Sequence, residues 1–147
     1  MEKLRDNNPI AFKALGFAKD DKTEITRALN EALCSYQIFF HKLQRFHWNV
    51  KGGEFFDIHE ITEELYTKGL ENIDEIAERI RVFGDYPKSN LSEYLAHSII
   101  TESSEKESPE EMIHIVLGDL EKMMECLLGT AIRSIHFVLP FYHKSEV

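Results

Sequence analysis

The chain has 147 residues, and its 17 Lys and Arg against 26 Asp and Glu give a net charge of −9 with neutral histidines. With 43 % apolar and 29 % charged residues, the composition is typical of one globular domain and excludes a disordered or fibrous chain. The acidic balance also argues against a nucleic-acid or anionic-membrane surface that depends on bulk charge, because such partners reward clustered Lys and Arg.

The two cysteines, Cys34 and Cys126, form no Cys-x-x-Cys pair and lie within helix-like apolar patterns. A disulfide framework or a thiolate metal site is therefore not indicated. The first residues contain no apolar signal core, and no apolar run approaches the ~20 residues that span a bilayer. We therefore expect a cytoplasmic protein.

Two long helices are predicted first, and a short connector joins them. The first begins near an N-cap motif at Asp21, carries apolar residues mostly three or four positions apart and stops at Gly52 and Gly53. The second begins at the cap Asp57 and runs to about Gly84. Each helix spans roughly 28 residues, or about 42 Å. Because the connector is so short, the two helices must form an antiparallel hairpin.

The rest of the chain predicts one short helix, one long helix and no strand. Asn90 is typical of the cap of a short helix, and Ser108 followed by Pro109 and two acidic residues is a strong start for a long one. Pro140 is expected to end or kink this third long helix. Only seven residues follow it, so a fourth long helix is missing or truncated. The predicted fold is all-α, an up-and-down helical bundle with a short helix between the second and third long helices.

The second long helix contains two candidate halves of a metal site. His59 with Glu63 and Asp74 with Glu78 are each spaced i, i+4, which places each pair on one helix face. The distance in sequence from Glu63 to Asp74 is close to a whole number of helical turns, so both pairs lie on the same face of the helix. They are about 16 Å apart along the helix axis, so one ion cannot contact both.

The spacing of these residues is symmetric, because residues 59 and 78 and residues 63 and 74 have the same midpoint. Two copies of the helix that cross antiparallel about a two-fold axis would place His59 against Glu78 of the partner subunit, and Glu63 against the partner's Asp74. His47 precedes the interhelix turn by as much as His59 follows it, so it joins the same place. We therefore predict a site between chains, formed by His47, His59 and Glu63 of one copy with Asp74 and Glu78 of the other.

The donor types in this predicted site indicate the metal. Two imidazoles and three carboxylates suit a first-row divalent ion such as iron, and the lack of thiolate argues against structural zinc. Carboxylates favour the harder ferric ion over the ferrous one. The pattern therefore predicts a site at which iron is oxidised.

Simpler interpretations exist for each of these residues. Acidic residues on a helix most often form a solvated face, although the like-charge neighbours stacked along this one are unfavourable without a cation. Trp48 beside His47 is more commonly a packing residue, but near a redox metal it could donate an electron. Glu111 and His114 match the Glu-x-x-His spacing of di-iron bundles, but such sites need two copies of the motif. We expect the other histidines to be ordinary surface or core residues: His41, His97, His114, His136 and His143.

Three segments of the chain together resemble the Dps family of ferritin-like miniferritins. They are Phe46-His-Trp-Asn-Val-Lys-Gly52, His59-x-x-x-Glu63 and Asp74-Glu-Ile-Ala-Glu78-Arg79-Ile80. The similarity covers roughly residues 21–125, in the family order. It implies a single ferritin-like domain over residues 1–147 and a dodecameric shell. It also implies dimer-interface sites that oxidise Fe(II), preferably with hydrogen peroxide or else with O2, and store the ferric product, which protects against oxidative stress.

The resemblance also implies roles for individual residues. The residues that resemble the family's iron ligands are His47, His59, Glu63, Asp74 and Glu78. Trp48 resembles the neighbouring redox-active residue, and Glu60 and Glu64 resemble carboxylates that nucleate the mineral. Position 63 is often Asp in the family. Glu63 keeps the charge on an arm one methylene longer, so we expect the metal to shift within the site.

Residues 131–147 form an atypical tail that does not resemble the family's last helix, and two alternatives to a storage shell follow. One is a helical dimer whose uncovered groove and altered tail leave only vestigial metal binding. The other is a protein that coats DNA, as some family members do through basic tails. Here Lys3 and Arg5 are offset by Glu2 and Asp6, so contacts with DNA would be weak.

Overall fold

The computed structural model describes residues 19–103 and 106–142, and the side chains of residues 22–103 and 106–129. This part of the chain contains four helices, which are α1 Lys19–Asn49, α2 Phe55–Val82, α3 Leu91–His97 and α4 Pro109–Tyr142. It contains no strand, so the all-α prediction and the short helix between two long ones are confirmed. None of these four helices has a stretch long and apolar enough to cross a membrane. The charges at positions 2–6 lie outside the described residues.

The beginnings of the first two helices differ from their predicted positions. Helix α1 begins two residues before Asp21. Helix α2 begins at Phe55 with Glu54 at the N-cap, so the prediction that Asp57 caps it is wrong. The Ile58 N–H donates to the Glu54 carbonyl at 3.1 Å, which starts the helix as soon as the glycine turn ends. Asp57 instead lies in the first turn, where a negative charge interacts favourably with the helix dipole.

The sequence predicts that Pro140 ends or kinks the last long helix, and the first of these two alternatives is wrong, because helix α4 continues past Pro140 to Tyr142. Pro140 stands in the last turn of a helix of 34 residues. At that position the missing N–H removes a single hydrogen bond from a helix that is already formed. A proline in the middle of the helix would be far more disruptive.

Helices α1 and α2 form the predicted antiparallel hairpin. Gly52 in their connector has a φ of 112°, a conformation that residues with a side chain rarely adopt. Leu33 and Ile80 pack in one apolar cluster between the two helices. At the far end, the Lys22 ammonium donates to the Gly84 carbonyl at 3.5 Å. The start of α1 therefore lies beside the end of α2, and the two helices are adjacent along most of their length.

Helix α4 packs on α1 and runs in the opposite direction. Phe46 near the end of α1 shares an apolar cluster with Met112 near the start of α4. Further along, Lys42 of α1 and Asp119 of α4 form an ion pair whose side chains are almost completely buried. A buried charge without its partner is strongly unfavourable, so this pair opposes any slip of α4 along α1. The sequence patterns gave no indication of this pair.

The segment between α2 and α4 is held against α1 by polar contacts. The Lys88 N–H donates to the Asn30 side-chain oxygen at 2.8 Å. The Arg45 guanidinium binds the Glu107 carboxylate at 2.7 Å. These contacts keep the crossover on α1, and the acidic face of α2 stays exposed.

Helices α2 and α4 run in the same direction, make little direct contact and leave an apolar groove of about 270 Å³ between them. Its walls include Ile61 of α2 and Leu117 of α4, which are 47 % and 58 % exposed. Three long helices cannot enclose a four-helix core, and the described residues supply no fourth long helix to this groove.

We predict that the cap of α4 makes the stability of the protein pH-dependent. The Ser108 N–H donates to the Glu111 carboxylate at 2.7 Å, and the Glu111 N–H donates to the Ser108 hydroxyl at 3.2 Å. The hydrogen bond from the Ser108 N–H, followed by that of the Ser108 side chain, lowers the pKa of the Glu111 carboxyl group from its ordinary value of 4.5. Because the folded pKa is the lower one, the carboxylate stabilises the fold above pH 4.5, and this contribution is lost as the pH falls through the folded pKa.

Urea unfolding followed by circular dichroism checks this prediction. Glu111→Gln should lower the free energy of unfolding at neutral pH, and the difference from the unmodified protein should vanish in acid. Glu110→Gln is the matched control, because Glu110 lies in the same first turn without the cap bonds. A difference that persists unchanged in acid would contradict the prediction.

A second prediction concerns the thiol of Cys34. The side chain is fully buried, and burial raises its pKa to about 11 although Lys88 acts in the opposite sense. Neither Cys34 nor Cys126 forms a disulfide within the part of the chain that the structure describes. In a Cys126→Ser variant, Cys34 should therefore resist iodoacetamide at mildly alkaline pH until the protein is unfolded. Mass spectrometry measures the labelling, and rapid labelling of the native variant would show that the thiol is accessible.

Candidate metal centre

Three predicted ligands meet at the turn of the α1–α2 hairpin. His47 lies in the last turn of α1, and His59 and Glu63 lie on successive turns of α2. One donor atom from each of these side chains lies within 4.8 Å of the other two. The two histidines are half-buried, whereas Glu63 is exposed. The hairpin thus brings together the three residues that the sequence grouped within one chain.

The two imidazoles stack on each other and share two hydrogen bonds. Their ring centroids are 3.6 Å apart with an interplanar angle of 18°. Nδ1 of His47 lies 2.8 Å from the His59 carbonyl oxygen, and Nδ1 of His59 lies 2.9 Å from the His47 carbonyl oxygen. A carbonyl oxygen only accepts, so each Nδ1 must carry a proton and donate. In a neutral imidazole this leaves the lone pair on Nε2, which is the atom a metal would bind.

Two further rings enclose the imidazole pair. Phe55 stacks on His59 with the ring centroids 4.9 Å apart. Tyr66 meets His47 edge-on, with the centroids 5.4 Å apart and an interplanar angle of 82°. Sequence reasoning missed both residues. Their spacing could have indicated them, because Phe55 precedes His59 by four positions and Tyr66 follows it by seven, which are helical repeats on one side of α2.

The donor set in one chain is incomplete for iron. Metal bonds of about 2.1 Å allow donors to be at most about 4.2 Å apart, and the three donor atoms, which lie within 4.8 Å of one another, are near that limit. Two neutral imidazoles and one carboxylate carry a single negative charge. That charge does not balance a divalent or trivalent cation, so further carboxylates are needed.

The structure does not bring Asp74 and Glu78 to this cluster. Both are exposed on α2, several turns beyond Glu63. Between the two halves of this face lies Leu70, which is 55 % exposed. Within one chain, the predicted ligands therefore form two separate groups, one at the α1–α2 turn and one further along α2.

The other candidate residues lie outside the cluster of three. Glu60 and Glu64 are exposed on α2. Trp48 is 70 % exposed, and the ring contacts described for the imidazole pair come from Phe55 and Tyr66.

Glu111 and His114 line a different cavity of about 690 Å³, most of whose lining residues are charged or polar. The Glu111 carboxylate accepts a hydrogen bond from the Ser108 N–H at the start of α4. The Glu-x-x-His spacing of this pair therefore belongs to a helix cap, away from the imidazole pair.

Comparison with known proteins places the chain among ferritin-like proteins. The family model described as a ferritin-like domain matches residues 26–131. DNA protection during starvation protein 2 of Bacillus anthracis is 42 % identical over 101 residues, which is 69 % of this chain and 69 % of that protein. General stress protein 20U of Bacillus subtilis is 31 % identical over 69 % of this chain and 70 % of its own length.

Solved structures show the same fold. A Dps protein from Bacillus brevis is similar with a TM-score of 0.79 and 31 % identity, over 82 % of this chain and 80 % of that one. The Dps protein of Vibrio cholerae O1 is described as a member of a broad superfamily of ferritin-like diiron-carboxylate proteins. It is similar with a TM-score of 0.80 and 26 % identity, over 92 % of this chain and 82 % of that one.

The hydrogen bonds of the imidazole pair predict the position of its protons. Nitrogen-15 NMR of the histidine-labelled protein at mildly alkaline pH should show His47 and His59 with the proton on Nδ1, because both Nδ1 atoms face carbonyl oxygens. His41, which is exposed, serves as the control. A proton on Nε2 of either residue would contradict the proposed orientation of the donors.

Proposed function

The chain belongs to the Dps family of ferritin-like proteins, and on this basis we propose that it oxidises Fe(II) and stores the ferric product. Hydrogen peroxide is the proposed oxidant, with O2 as the slower alternative. The observation that carries the proposal is the His47–His59 pair next to Glu63, in which both Nδ1 atoms are engaged by carbonyl oxygens, so that Nε2 of each ring remains available to a metal.

We further propose that a second copy of the chain completes the site with its own Asp74 and Glu78. Three features support this arrangement. The two pairs on α2 are symmetric about one midpoint, both acidic residues are exposed, and Leu70 near the midpoint is a large apolar residue that is 55 % exposed. Burial of Leu70 between two antiparallel copies of α2 would remove apolar surface from water.

The combined donor set fits the chemistry of iron oxidation. Three carboxylates and two neutral imidazoles carry three negative charges, which match the charge of Fe(III) better than that of Fe(II). The site would therefore stabilise the product of the reaction. Two Fe(II), one hydrogen peroxide and two protons give two Fe(III) and two water molecules. In this proposal the exposed Glu60 and Glu64 bind the ferric product where the mineral begins to grow.

A role in coating DNA receives less support. The relative from Bacillus anthracis is named for DNA protection. This chain has a net charge of −9, which opposes contact with phosphates. We therefore propose that any protection comes from the removal of Fe(II) and peroxide. The helical dimer with vestigial metal binding is also less favoured, because the histidine donors keep an ordered arrangement.

A subunit-mixing experiment tests the shared site. His59→Ala and Asp74→Asn should each slow the oxidation of Fe(II) by peroxide at least about tenfold, since even changes behind metal ligands cost 10–100-fold. The two variants are then unfolded together and refolded as a mixture. Half of the random dimers are mixed, and each of these has one site with all five ligands. The mixture should therefore recover about a quarter of the unmodified rate.

Glu75→Gln is the matched control, because Glu75 is an exposed carboxylate next to Asp74 on the same helix. It should leave the rate unchanged, and mixing it with His59→Ala should give only the average of the two preparations. Stopped-flow absorbance of the ferric product measures all rates. No recovery in the mixture of His59→Ala and Asp74→Asn, with correctly refolded protein, would show that the site is not shared between chains.

A further inference from the structure

The apolar groove between α2 and α4 continues as an apolar stripe along α4. Its residue Leu120 is followed four positions later by Met124 and three positions after that by Leu127, and both of these side chains are exposed. Ile113 and Leu117 precede Leu120 with the same alternating spacing, which is typical of a helix face that packs against another helix. The stripe is about 21 Å long, so a helix of about 14 residues would cover it.

Both rims of this groove are acidic. On α2, the groove residues at positions 58, 61 and 65 are each directly preceded by an exposed carboxylate, and on α4 two exposed carboxylates flank the stripe. These five residues are Asp57, Glu60, Glu64, Glu110 and Glu121. Among the side chains of residues 22–103 and 106–129, none of the five has an ion-pair partner. Lys68, the next lysine along α2, is already paired with Glu71.

The apolar part of the segment before α1 cannot reach this groove in its own chain. Lys22 lies beside Gly84, at the end of the hairpin opposite the α1–α2 turn. From Gly84 back to Leu65, at the near edge of the groove, is about 28 Å along α2, and Lys19 lies nearly one turn further away. Most of the large apolar residues before α1 fall within residues 10–17. Even a fully extended chain from Lys19 to Ile10 spans only about 31 Å, so these residues cannot enter the groove.

Charge also disfavours a second copy of α4 as the helix that covers the stripe. Two copies of α4 that packed through their stripes would bring the Glu110 and Glu121 carboxylates of both chains to one interface. Like charges placed together at an interface are unfavourable. A helix with basic residues on both sides of its apolar face would instead place positive charge against both rims.

We propose that the groove between α2 and α4 binds a basic amphipathic helix of another protein. The partner carries apolar residues three and four positions apart, with Lys or Arg on both flanks of that apolar face. Because α2 and α4 run in the same direction, a partner that runs antiparallel to both would complete a four-helix arrangement. The inference is independent of the proposed iron chemistry, since the groove contains none of the proposed metal ligands.

Fluorescence anisotropy with a synthetic helical peptide tests the proposal. The probe has 14 residues of Ala, Leu and Lys, with leucines three and four positions apart and lysines on both sides of the leucine face. Leu117→Asp should weaken binding to the whole protein at least about tenfold, although it adds a negative charge, because an apolar contact is lost. Leu95→Asp is the matched control, because Leu95 on α3 is 55 % exposed, close to the 58 % of Leu117, and lies outside the groove. That variant should bind the probe as the unmodified protein does.

Charge reversal on the rim provides a second readout. Glu121→Lys should weaken binding of the lysine peptide and strengthen binding of the same peptide with Glu in place of every Lys. Glu102→Lys makes the same change of charge at an exposed residue of the crossover, outside the groove, and should have neither effect.

Several results would overturn the proposal. One is a lysine peptide that does not bind the unmodified protein, and another is a lysine peptide that binds the Leu117→Asp and Leu95→Asp variants equally, which would show attraction by net charge alone. Light scattering distinguishes a separate partner from a second copy of the chain. If Leu117→Asp lowers the mass of the assembled protein and Leu95→Asp does not, the groove is an interface between copies, and the proposal is wrong.

Discussion

The reciprocal hydrogen bonds between His47 and His59 are the constraint on which the site depends. Each side chain donates to the backbone of the other helix. The same two bonds therefore link α1 to α2 and fix the orientation of both imidazoles. Rotation of either ring would leave a half-buried donor without its acceptor, which costs free energy. The rings therefore keep the same nitrogen atom, Nε2, available before any metal binds, and little ordering is left for the binding step.

The rest of the molecule packs against α1 and leaves the outer face of α2 uncovered. The buried Lys42–Asp119 pair and the Arg45–Glu107 pair attach α4 and the crossover to α1. Within one chain, the acidic face of α2 is exposed to solvent. In the proposed shared site each copy holds only part of the ligands, so iron would bind well only after assembly, and its oxidation would be confined to the assembled protein. The apolar groove between α2 and α4 shows that the chain also exposes surface that has no role in this site.

The helices and the grouping of donors follow from the sequence because they depend on local rules. Helical periodicity and the capping residue Ser108 give the elements, and a short connector forces the hairpin that joins His47 to His59. The orientation of the rings could not be predicted, because it depends on carbonyl groups whose positions are known only after the helices pack. The Lys42–Asp119 pair was missed for a similar reason, since its partners are far apart in sequence and ordinary charged residues are expected at the surface. The predicted cap at Asp57 was wrong because the sequence around Asp57 fits an N-cap, whereas the glycine turn allows α2 to begin earlier.

Anomalous diffraction at the iron edge from crystals of the assembled protein, soaked with Fe(II) without oxygen, tests the central claim most directly. The account predicts an iron peak at about 2.1 Å from Nε2 of His47 or His59, with Glu63 of the same chain and Asp74 or Glu78 of the partner subunit completing the coordination. A peak bound through Nδ1, or one whose ligands all come from a single chain, would contradict it.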